Sequence, residues 1–501
     1  MHGRRFAKRC SPRANFDSCD DQEPLDKEMN SPLFSRRQAL QASAAGFGYL
    51  AFNALANEAL AAETIAKPVS PLAERPPHFQ AKVKRVIFMF MEGGPSHVDT
   101  FDYKPQLTKY SGKKPPYDQP KAGSTGNNDS VMQASPYKFS QHGESGLWIS
   151  EVFPELAKHA DDLCLINGMH HETGIHEPGC VIMHTGDFRF SRPSMGSWIT
   201  YGLGAETEEL PGYVVVNPRD RNTSNGCYSN AFLPAAFHST IMRDVGSSTD
   251  LSSAIRNVTN PHLPAHLQRR QLELIQQMNA RFQQKQDDSQ VDAVIESYER
   301  AYRMQTALPQ LFDYSDESQN TLDLYGIGKK APPFAMQCLL ARRMAEAGVR
   351  FIEISQGGWD HHNNLPDQMP KSAANIDKPI AGLIADLKQR GLWDETLLVW
   401  GGEFGRTPAI EDMKDKVFGR DHNGAGFTYW IAGGGIKGGI RYGATDELGW
   451  MAAENKVHAR DLHATILHLL GLDHKTLSFR YGGRDYTPTD VDGEVVEGIL
   501  A

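Results

Sequence analysis

The amino-acid sequence predicts an α/β fold with a mostly parallel central sheet flanked by helices. Short apolar runs recur along the chain and end in glycine or polar residues, as buried parallel strands do where they meet a loop. These runs are "RVIFMFMEGG", "DLCLING", "GYVVVNP", "VRFIEIS", "TLLVWGGEFG" and "FTYWIAGGG". Stretches of helical pattern separate several of them, and strands that alternate with helices indicate a parallel sheet.

The helical stretches support this prediction. "PPFAMQCLLARRMAEAG" ends at Gly348, a suitable residue for a helix C-terminus, and "IDKPIAGLIADLKQRG" has the same character. Residues 263–306 are polar and rich in glutamine and arginine, which predicts an inserted helical hairpin. In parallel sheets of this class, ligands bind beyond the carboxyl ends of the strands.

Composition excludes several classes of protein. The chain has 501 residues, 40% hydrophobic and 23% charged, which are globular values. A formal net charge of -9 argues against a nucleic-acid-binding protein, which normally carries a basic face. The six cysteines form no CxxC pair, which argues against a zinc ribbon or a disulfide scaffold.

The N-terminal residues 1–61 have the layout of a twin-arginine export signal. Arg36 and Arg37 precede an apolar stretch, and the small residues Ala59-Leu60-Ala61 suit cleavage. A buried N-terminal helix is the alternative, and Met29 is an alternative start. We expect a linker over 62–77, a folded domain over 78–501, a periplasmic or secreted location and no membrane span in the mature protein.

Residues of metal-ligand type follow several of the predicted strands. The candidates are Glu92, Asp99, Asp360, His362, Glu403, Asp421 and His422 for a metal, with His176 and Arg406 for catalysis. Each group alone could be a structural loop, but the carboxyl ends of parallel strands converge. Carboxylates together with imidazoles suit zinc, manganese or iron, whereas oxygen ligands alone suit calcium or magnesium. We expect one or two divalent ions and no organic cofactor.

The motifs "GGPSHVDTFD", "RPSMGSW", "GWDHHNN", "GGEFGRTP", "GRDH" and "DLHATILHLLGLDH" closely resemble the DUF1501 family. This is a family of secreted proteins placed in the alkaline phosphatase/sulfatase superfamily, and the resemblance covers nearly the whole mature chain. It implies an alkaline phosphatase-like fold with a metal site at the strand ends.

The resemblance also implies ligands residue by residue. The metal-binding aspartate after the first strand corresponds to Glu92, with Asp99 as the second candidate. The Asp-His loop of the superfamily resembles Asp360 and His362. Its Asp-His-Gly becomes Glu403-Phe404-Gly405, so that the histidine is lost, and its late histidine resembles His422.

The sequence departs from the sulfatase pattern at the nucleophile. "HEPGCVIMHTG" keeps Pro178 and the closing Thr185-Gly186, but His176 stands where the superfamily has cysteine or serine. Formylglycine cannot form from histidine, so His176 is either a nucleophile on phosphorus or a metal ligand, or hydrolysis has been lost.

We therefore expect an exported, metal-dependent hydrolase of phosphate or sulfate esters. Its substrate would be an anionic ester, such as a sulfated polysaccharide, and Arg406 would hold the free oxygens of the group transferred. The alternative is an inactive secreted binding or scaffold protein on the same fold.

In an extended loop, residues two apart project to the same side. We therefore expect Asp360 and His362 to reach one metal with Glu403 and His422. His361 should face away, and the ring of Trp359 should form a wall of the site.

Overall fold

The structure is a computed structural model that describes residues 70–117, 131–219, 226–247, 254, 264–283, 289–411, 418–490 and 492–501. The predicted export signal and residues 62–69 of the predicted linker lie outside the described residues.

The strands and helices follow one another in the α/β order expected. The strands are β1 (Arg85–Glu92), β2 (Phe139–His142), β3 (Leu147–Ser150), β4 (Leu163–His170), β5 (Tyr213–Val216), β6 (Thr240–Met242), β7 (Phe351–Gly357), β8 (Thr396–Gly401), β9 (Gly405–Arg406), β10 (His422–Asn423), β11 (Phe427–Gly433), β12 (Ile440–Tyr442), β13 (Ala444–Thr445), β14 (Ala452–Glu454), β15 (Val457–His458), β16 (Phe479–Tyr481) and β17 (Arg484–Tyr486). The α-helices are α1 (His97–Thr100), α2 (Pro105–Tyr110), α3 (His176–Thr185), α4 (Met195–Leu203), α5 (Ala265–Gln283), α6 (Ser289–Phe312), α7 (Gln319–Tyr325), α8 (Pro333–Glu346), α9 (Leu365–Gln389) and α10 (Ala459–Leu469).

The central sheet has nine strands, in the order β12-β4-β11-β8-β1-β7-β5-β6, with β15 paired to β4. β1 pairs in parallel with β7 and with β8, and β5 continues the parallel order beside β7. β11 alone runs against its neighbours β8 and β4. The predicted α/β fold with a mostly parallel sheet is confirmed, and β11 is the exception that the apolar pattern could not reveal.

Both faces of the sheet are buried. Along β1, Ile87 and Met89 pack into the layer formed with α8 and α9, whereas Phe88 and Phe90 pack into the layer formed with α3, α4 and α10. All eight residues of β1 are buried, because side chains alternate between two covered faces. The result is three layers, helices on sheet on helices.

The polar segment predicted as a hairpin contains the two helices α5 and α6, and the second runs on to Phe312. The end of α6 joins the main core, where Leu308 is buried. No helix in the described part of the chain is long and apolar enough to cross a membrane.

Residues assigned to the linker from sequence include some that pack on the fold. The compact unit includes the described residues from Ser70 onward. Leu72 is buried, and its carbonyl accepts the amide N–H of Ala205 at 3.0 Å. The packed unit therefore begins before residue 78, because an apolar side chain in this Pro-rich stretch finds a place in the core.

Candidate metal centre

Three histidines and one aspartate meet at the carboxyl edge of the sheet. The ligand-type atoms of His176, Asp360, His362 and His422 all lie within 4.8 Å of one another. The Nε2 atoms of His176 and His362 lie 3.2 and 2.8 Å from the Asp360 carboxylate, and that of His422 lies 3.4 Å from it. These four side chains, here called the His3Asp group, come from three separate segments of the chain: the start of α3, the loop after β7 and the start of β10.

Each histidine of the His3Asp group is held by its other ring nitrogen. Nδ1 of His176 lies 2.6 Å from Glu403, Nδ1 of His362 lies 2.6 Å from Glu411, and Nδ1 of His422 lies 2.7 Å from the carbonyl of Gly174. An acceptor at Nδ1 favours a proton there, so that loss of the second proton frees the Nε2 lone pair for a cation. All three available nitrogens point into one space.

Asp360 carries the charge on which the His3Asp group depends. Burial alone would raise the pKa of Asp360, but hydrogen bonds from the three histidines and the charge of Arg406 hold it well below its usual range. Hydrogen bonds with Asp360 and Glu411 raise the pKa of His362 to about 9. Burial lowers the pKa of His422. The group thus holds an ionised carboxylate that faces three imidazoles.

Two glycines let the loops meet at the His3Asp group. Gly93 follows β1 with φ +120°, and a Cβ there would collide with the backbone of Trp359 and Asp360. Gly419 lies so close to the carbonyl of His362 that a side chain at that position could not fit. The loops after β1 and β7 and the loop before β10 therefore pack backbone against backbone.

His422 lies at the carboxyl edge of the sheet because β11 is antiparallel to its neighbours. The residues that precede β11 in the chain therefore lie at the carboxyl ends of the parallel strands. The short strands β9 and β10 pair Arg406 with His422. The ring of Phe404 lies 4.5 Å from that of His422 and 5.0 Å from that of His176 and forms a wall of the site.

Glu403, predicted as a metal ligand, lies behind His176 instead of in the His3Asp group. Its two carboxylate oxygens lie 2.9 and 3.0 Å from the amide N–H of Gly93, from which they accept a hydrogen bond. The same carboxylate contacts Nδ1 of His176. Burial would raise the pKa of Glu403, but these contacts outweigh it and lower the pKa. Glu403 therefore orients a ligand and remains ionised.

Glu92 and Asp99 lie outside the His/Asp/Glu clusters found among the described residues. Arg219 Nε pairs with the buried Glu92 at 2.9 Å. Arg420 donates to both oxygens of the buried Asp99, at 2.7 and 3.1 Å. Because each carboxylate already faces a guanidinium, we do not count Glu92 or Asp99 among the candidate ligands.

Arg406 does not have the environment of a substrate-binding arginine. It is fully buried, and it donates to the carbonyls of Gly93, Gly94 and Arg420 and to Asp360. With its donors engaged in this way, Arg406 holds Asp360 in place. The role expected from the sequence, binding the free oxygens of the ester, stays a prediction.

Glu411 was not among the residues predicted from the sequence. Glu411, His362 and the buried Asp421 form a second group of ligand-type atoms within 4.8 Å. Glu411 holds Nδ1 of His362, and Asp421 accepts the backbone N–H of His422 at 2.7 Å. Glu411 is one of several charged residues in its stretch of sequence, and no motif distinguishes it from the others. Its contact with His362 therefore becomes visible only in the folded structure.

His361 and Trp359 are both turned away from the His3Asp group. His361 is buried, and its Nε2 lies 3.3 Å from the Ser372 hydroxyl. Trp359 is also buried, in the core beside Phe153 and Trp400. Trp359 therefore does not form the wall expected from the sequence, and the Phe404 ring lies beside the imidazoles instead.

The donor set fits a divalent cation. Nε2 of His176 is buried and faces the Asp360 carboxylate at 3.2 Å. Three imidazole nitrogens and one carboxylate match the ligand types of zinc and of other borderline transition metals. The carboxylates behind His176 and His362 are the supports that such ligands usually have.

The comparisons with known proteins cover most of the chain. The family model described as "Protein of unknown function (DUF1501)" matches residues 83–500, a range that includes every residue of the His3Asp group. The family expected from the motifs is confirmed. None of the curated proteins compared with the chain matches it.

Several solved structures are similar to the chain at low identity. The lipoteichoic acid synthase LtaP from Listeria monocytogenes is 10% identical, with 80% of this chain and 76% of that chain covered and a TM-score of 0.35. The alkaline phosphatase of the Antarctic bacterium TAB5 is 12% identical, with 79% and 100% covered and a TM-score of 0.32. The sulfatase PsFucS1 from Pseudoalteromonas sp. is 11% identical, with 78% and 68% covered and a TM-score of 0.32.

The buried Glu92 predicts a pH dependence of stability. Burial raises its pKa to about 7, against an opposing hydrogen bond and charge from Arg219. The folded protein keeps this proton where the unfolded chain, with a pKa near 4.5, has lost it. Stability therefore falls as the pH rises from about 4.5 through 7, by about 3 kcal/mol, since each pKa unit corresponds to about 1.4 kcal/mol.

Urea denaturation of Glu92→Gln and of the wild type at pH 5 and pH 8 measures this effect. The variant has no carboxyl to ionise, so its free energy of unfolding should gain about 3 kcal/mol relative to the wild type between the two pH values. Glu395→Gln, at an exposed glutamate paired with Lys84, is the control and should follow the wild type. If the free energy of unfolding changes equally with pH in all three proteins, the pKa of Glu92 is the same in the folded and unfolded states, and the prediction is contradicted.

Proposed function

The chain belongs to the DUF1501 family, and from the geometry of its candidate site we propose that it is an exported, metal-dependent hydrolase of phosphate or sulfate esters. The observation that carries the proposal is the convergence of three histidine Nε2 atoms on Asp360, each with its Nδ1 held by a separate acceptor. A structural loop has no need of three imidazoles oriented in this way, whereas a metal centre requires it.

A divalent cation held by His176, Asp360, His362 and His422 would supply Lewis acidity and activate water for attack on an ester. Other side chains of the protein would hold the metal ligands in position. Arg406 fixes Asp360, and Glu403 and Glu411 fix the rings of His176 and His362. The Phe404 ring covers one side of the imidazoles and keeps bulk water from that side.

Two finer features of the proposal follow from the donor set. Three nitrogen ligands favour zinc, manganese or iron over calcium and magnesium, which prefer oxygen. His176 stands in the nucleophile position of the family pattern, but its Nε2 faces the same space as the other ligands. We therefore assign it to the metal, so that water and not a side chain attacks the ester.

Loss of one ligand should remove the metal. His362→Ala removes one of the three histidine ligands of the proposed metal, together with its Nδ1 contact to Glu411, so metal affinity should fall by more than about 100-fold. Elemental analysis of the purified protein measures the metal, and a panel of phosphate and sulfate esters measures turnover. His238→Ala, at an exposed histidine away from the sheet edge, is the matched control and should keep full metal content.

The same measurement separates the hydrolase from an inactive binding protein on this fold. Near-stoichiometric metal in the wild type, with turnover abolished by chelation, supports the hydrolase. Absence of both metal and turnover in the wild type would favour the scaffold, and equal metal content in His362→Ala and the wild type would refute the ligand assignment.

Export by the twin-arginine route is the part of the proposal that rests on the sequence alone. Replacing Arg36 and Arg37 together by lysine should leave the precursor in the cytoplasm, because this route reads the arginine pair itself. Fractionation of cells that express either form measures the location. Cleaved, exported protein in equal amounts from both forms would exclude this route.

A further inference from the structure

We propose that His184 and Glu353 are positioning residues of the metal centre, whose buried contact holds His176 in place relative to Asp360. The inference rests on the proposed metal centre, because it concerns how two of the four ligands are held. His176 is the first residue of α3, and Asp360 lies in the loop that follows β7. The contact of His184 with Glu353 joins α3 directly to β7.

His184 and Glu353 meet in the interior of the protein, between α3 and the central sheet. Nε2 of His184 lies 3.0 Å from the Glu353 carboxylate, and the two side chains are 3% and 0% exposed. Nδ1 of His184 lies 2.6 Å from the carbonyl of Cys180, one turn earlier in α3. The rings of Phe90 and Tyr228 lie 4.6 and 5.1 Å from the imidazole. The imidazole is therefore held at both nitrogens and packed against aromatic rings.

The contact is a buried ion pair. Burial alone would lower the pKa of His184, but the negative charge of Glu353 raises it well above its usual value. Oε1 of Glu353 also accepts a long hydrogen bond of 3.4 Å from Ser355, whereas Oε2 has no hydrogen-bond partner within the described residues. If one partner of such a pair is removed, the other is left as an uncompensated charge in the interior. The remaining group then loses its charge or moves, and either change loosens the contact between α3 and β7.

α3 is joined to β7 and the loop after it at two levels. At the carboxyl edge of the sheet, Nε2 of His176 lies 3.2 Å from Asp360. His184 follows His176 by eight residues, which is about 12 Å along an α-helix. Glu353 precedes Gly357, the last residue of β7, by four residues, which is about 13 Å of strand. The ion pair is therefore a second connection, deep in the layer between α3 and the sheet.

The buried ion pair matters most when a metal is bound. A cation between His176 and Asp360 would take the place of their direct contact, so the position of α3 would depend more on the pair of His184 and Glu353. A displacement of α3 by about 1 Å is half the length of a zinc–nitrogen bond of about 2 Å, and it would take His176 out of bonding distance. Loss of the pair should therefore disturb the coordination geometry, although all four ligands remain.

Binding of Co²⁺ to the full-length protein tests the proposal, because the visible absorption of this ion reports its coordination geometry. Glu353→Gln keeps the size of the side chain and removes its charge. The affinity for Co²⁺ should fall about 10-fold, and the absorption bands should shift. The double variant His184→Gln/Glu353→Gln replaces the ion pair by two amides that can hydrogen-bond, so it should regain most of the affinity and the wild-type spectrum. His184→Gln alone should resemble Glu353→Gln, and it provides the test if Glu353→Gln does not fold.

Asp386→Asn is the matched control, at a buried carboxylate that pairs with the buried Arg342 at 2.9 Å. This pair joins α8 to α9 in the opposite helical layer, so the variant should lose stability and keep the wild-type affinity for Co²⁺.

Two results would overturn the proposal while leaving the metal centre intact. The first is wild-type affinity and spectrum in a folded variant of His184 or Glu353. The second is an equal loss of affinity in Asp386→Asn, because the loss would then follow stability alone. A wild-type protein that binds neither Co²⁺ nor another divalent ion would instead refute the metal centre, and this inference with it.

Discussion

The Asp360 carboxylate is the interaction on which the rest of the site depends. It faces the Nε2 atoms of three histidines and is held by the buried Arg406. The carboxylate is only partly exposed, at 36% of its side chain, and these partners stabilise its negative charge. The arrangement therefore keeps Asp360 ionised at the carboxyl edge of the sheet. A metal cation bound there would take the place of the protons on the imidazoles.

The fold brings these groups together through the close approach of loops at one sheet edge. Gly93 and Gly419 allow backbone to pack on backbone, so the side chains that follow are fixed within a small space. Glu403 and Glu411 then set the orientation of His176 and His362. A site supported in this way is preorganised, and a bound ion would find its ligands already in position.

The sequence predicts a large part of this arrangement and fails where contacts are distant along the chain. The clusters at the predicted strand ends and the resemblance to the superfamily predict Asp360, His362 and His422 as ligands, and the extended loop explains why His361 turns away. Glu92 and Asp99 look like ligands in sequence because they follow β1. Their partners are Arg219 and Arg420, which lie far away in the sequence. No local sequence pattern predicts these ion pairs.

The same limit explains the other differences. Apolar runs do not reveal strand direction, so the antiparallel β11 that brings His422 to the edge was not predicted. The burial of Arg406 depends on three carbonyls that only the folded chain assembles. A backbone acceptor, such as the carbonyl of Gly174 that contacts Nδ1 of His422, cannot be predicted from residue identity.

The most direct test of this account is a crystal structure of the exported protein grown with its native metal, with anomalous scattering used to locate the ion. The account predicts an ion bound by Nε2 of His176, His362 and His422 and by the carboxylate of Asp360, at about 2.0–2.2 Å. An ion bound instead by Glu92 or Asp99, or a fully metallated protein with nothing bound at the three histidines, would contradict it.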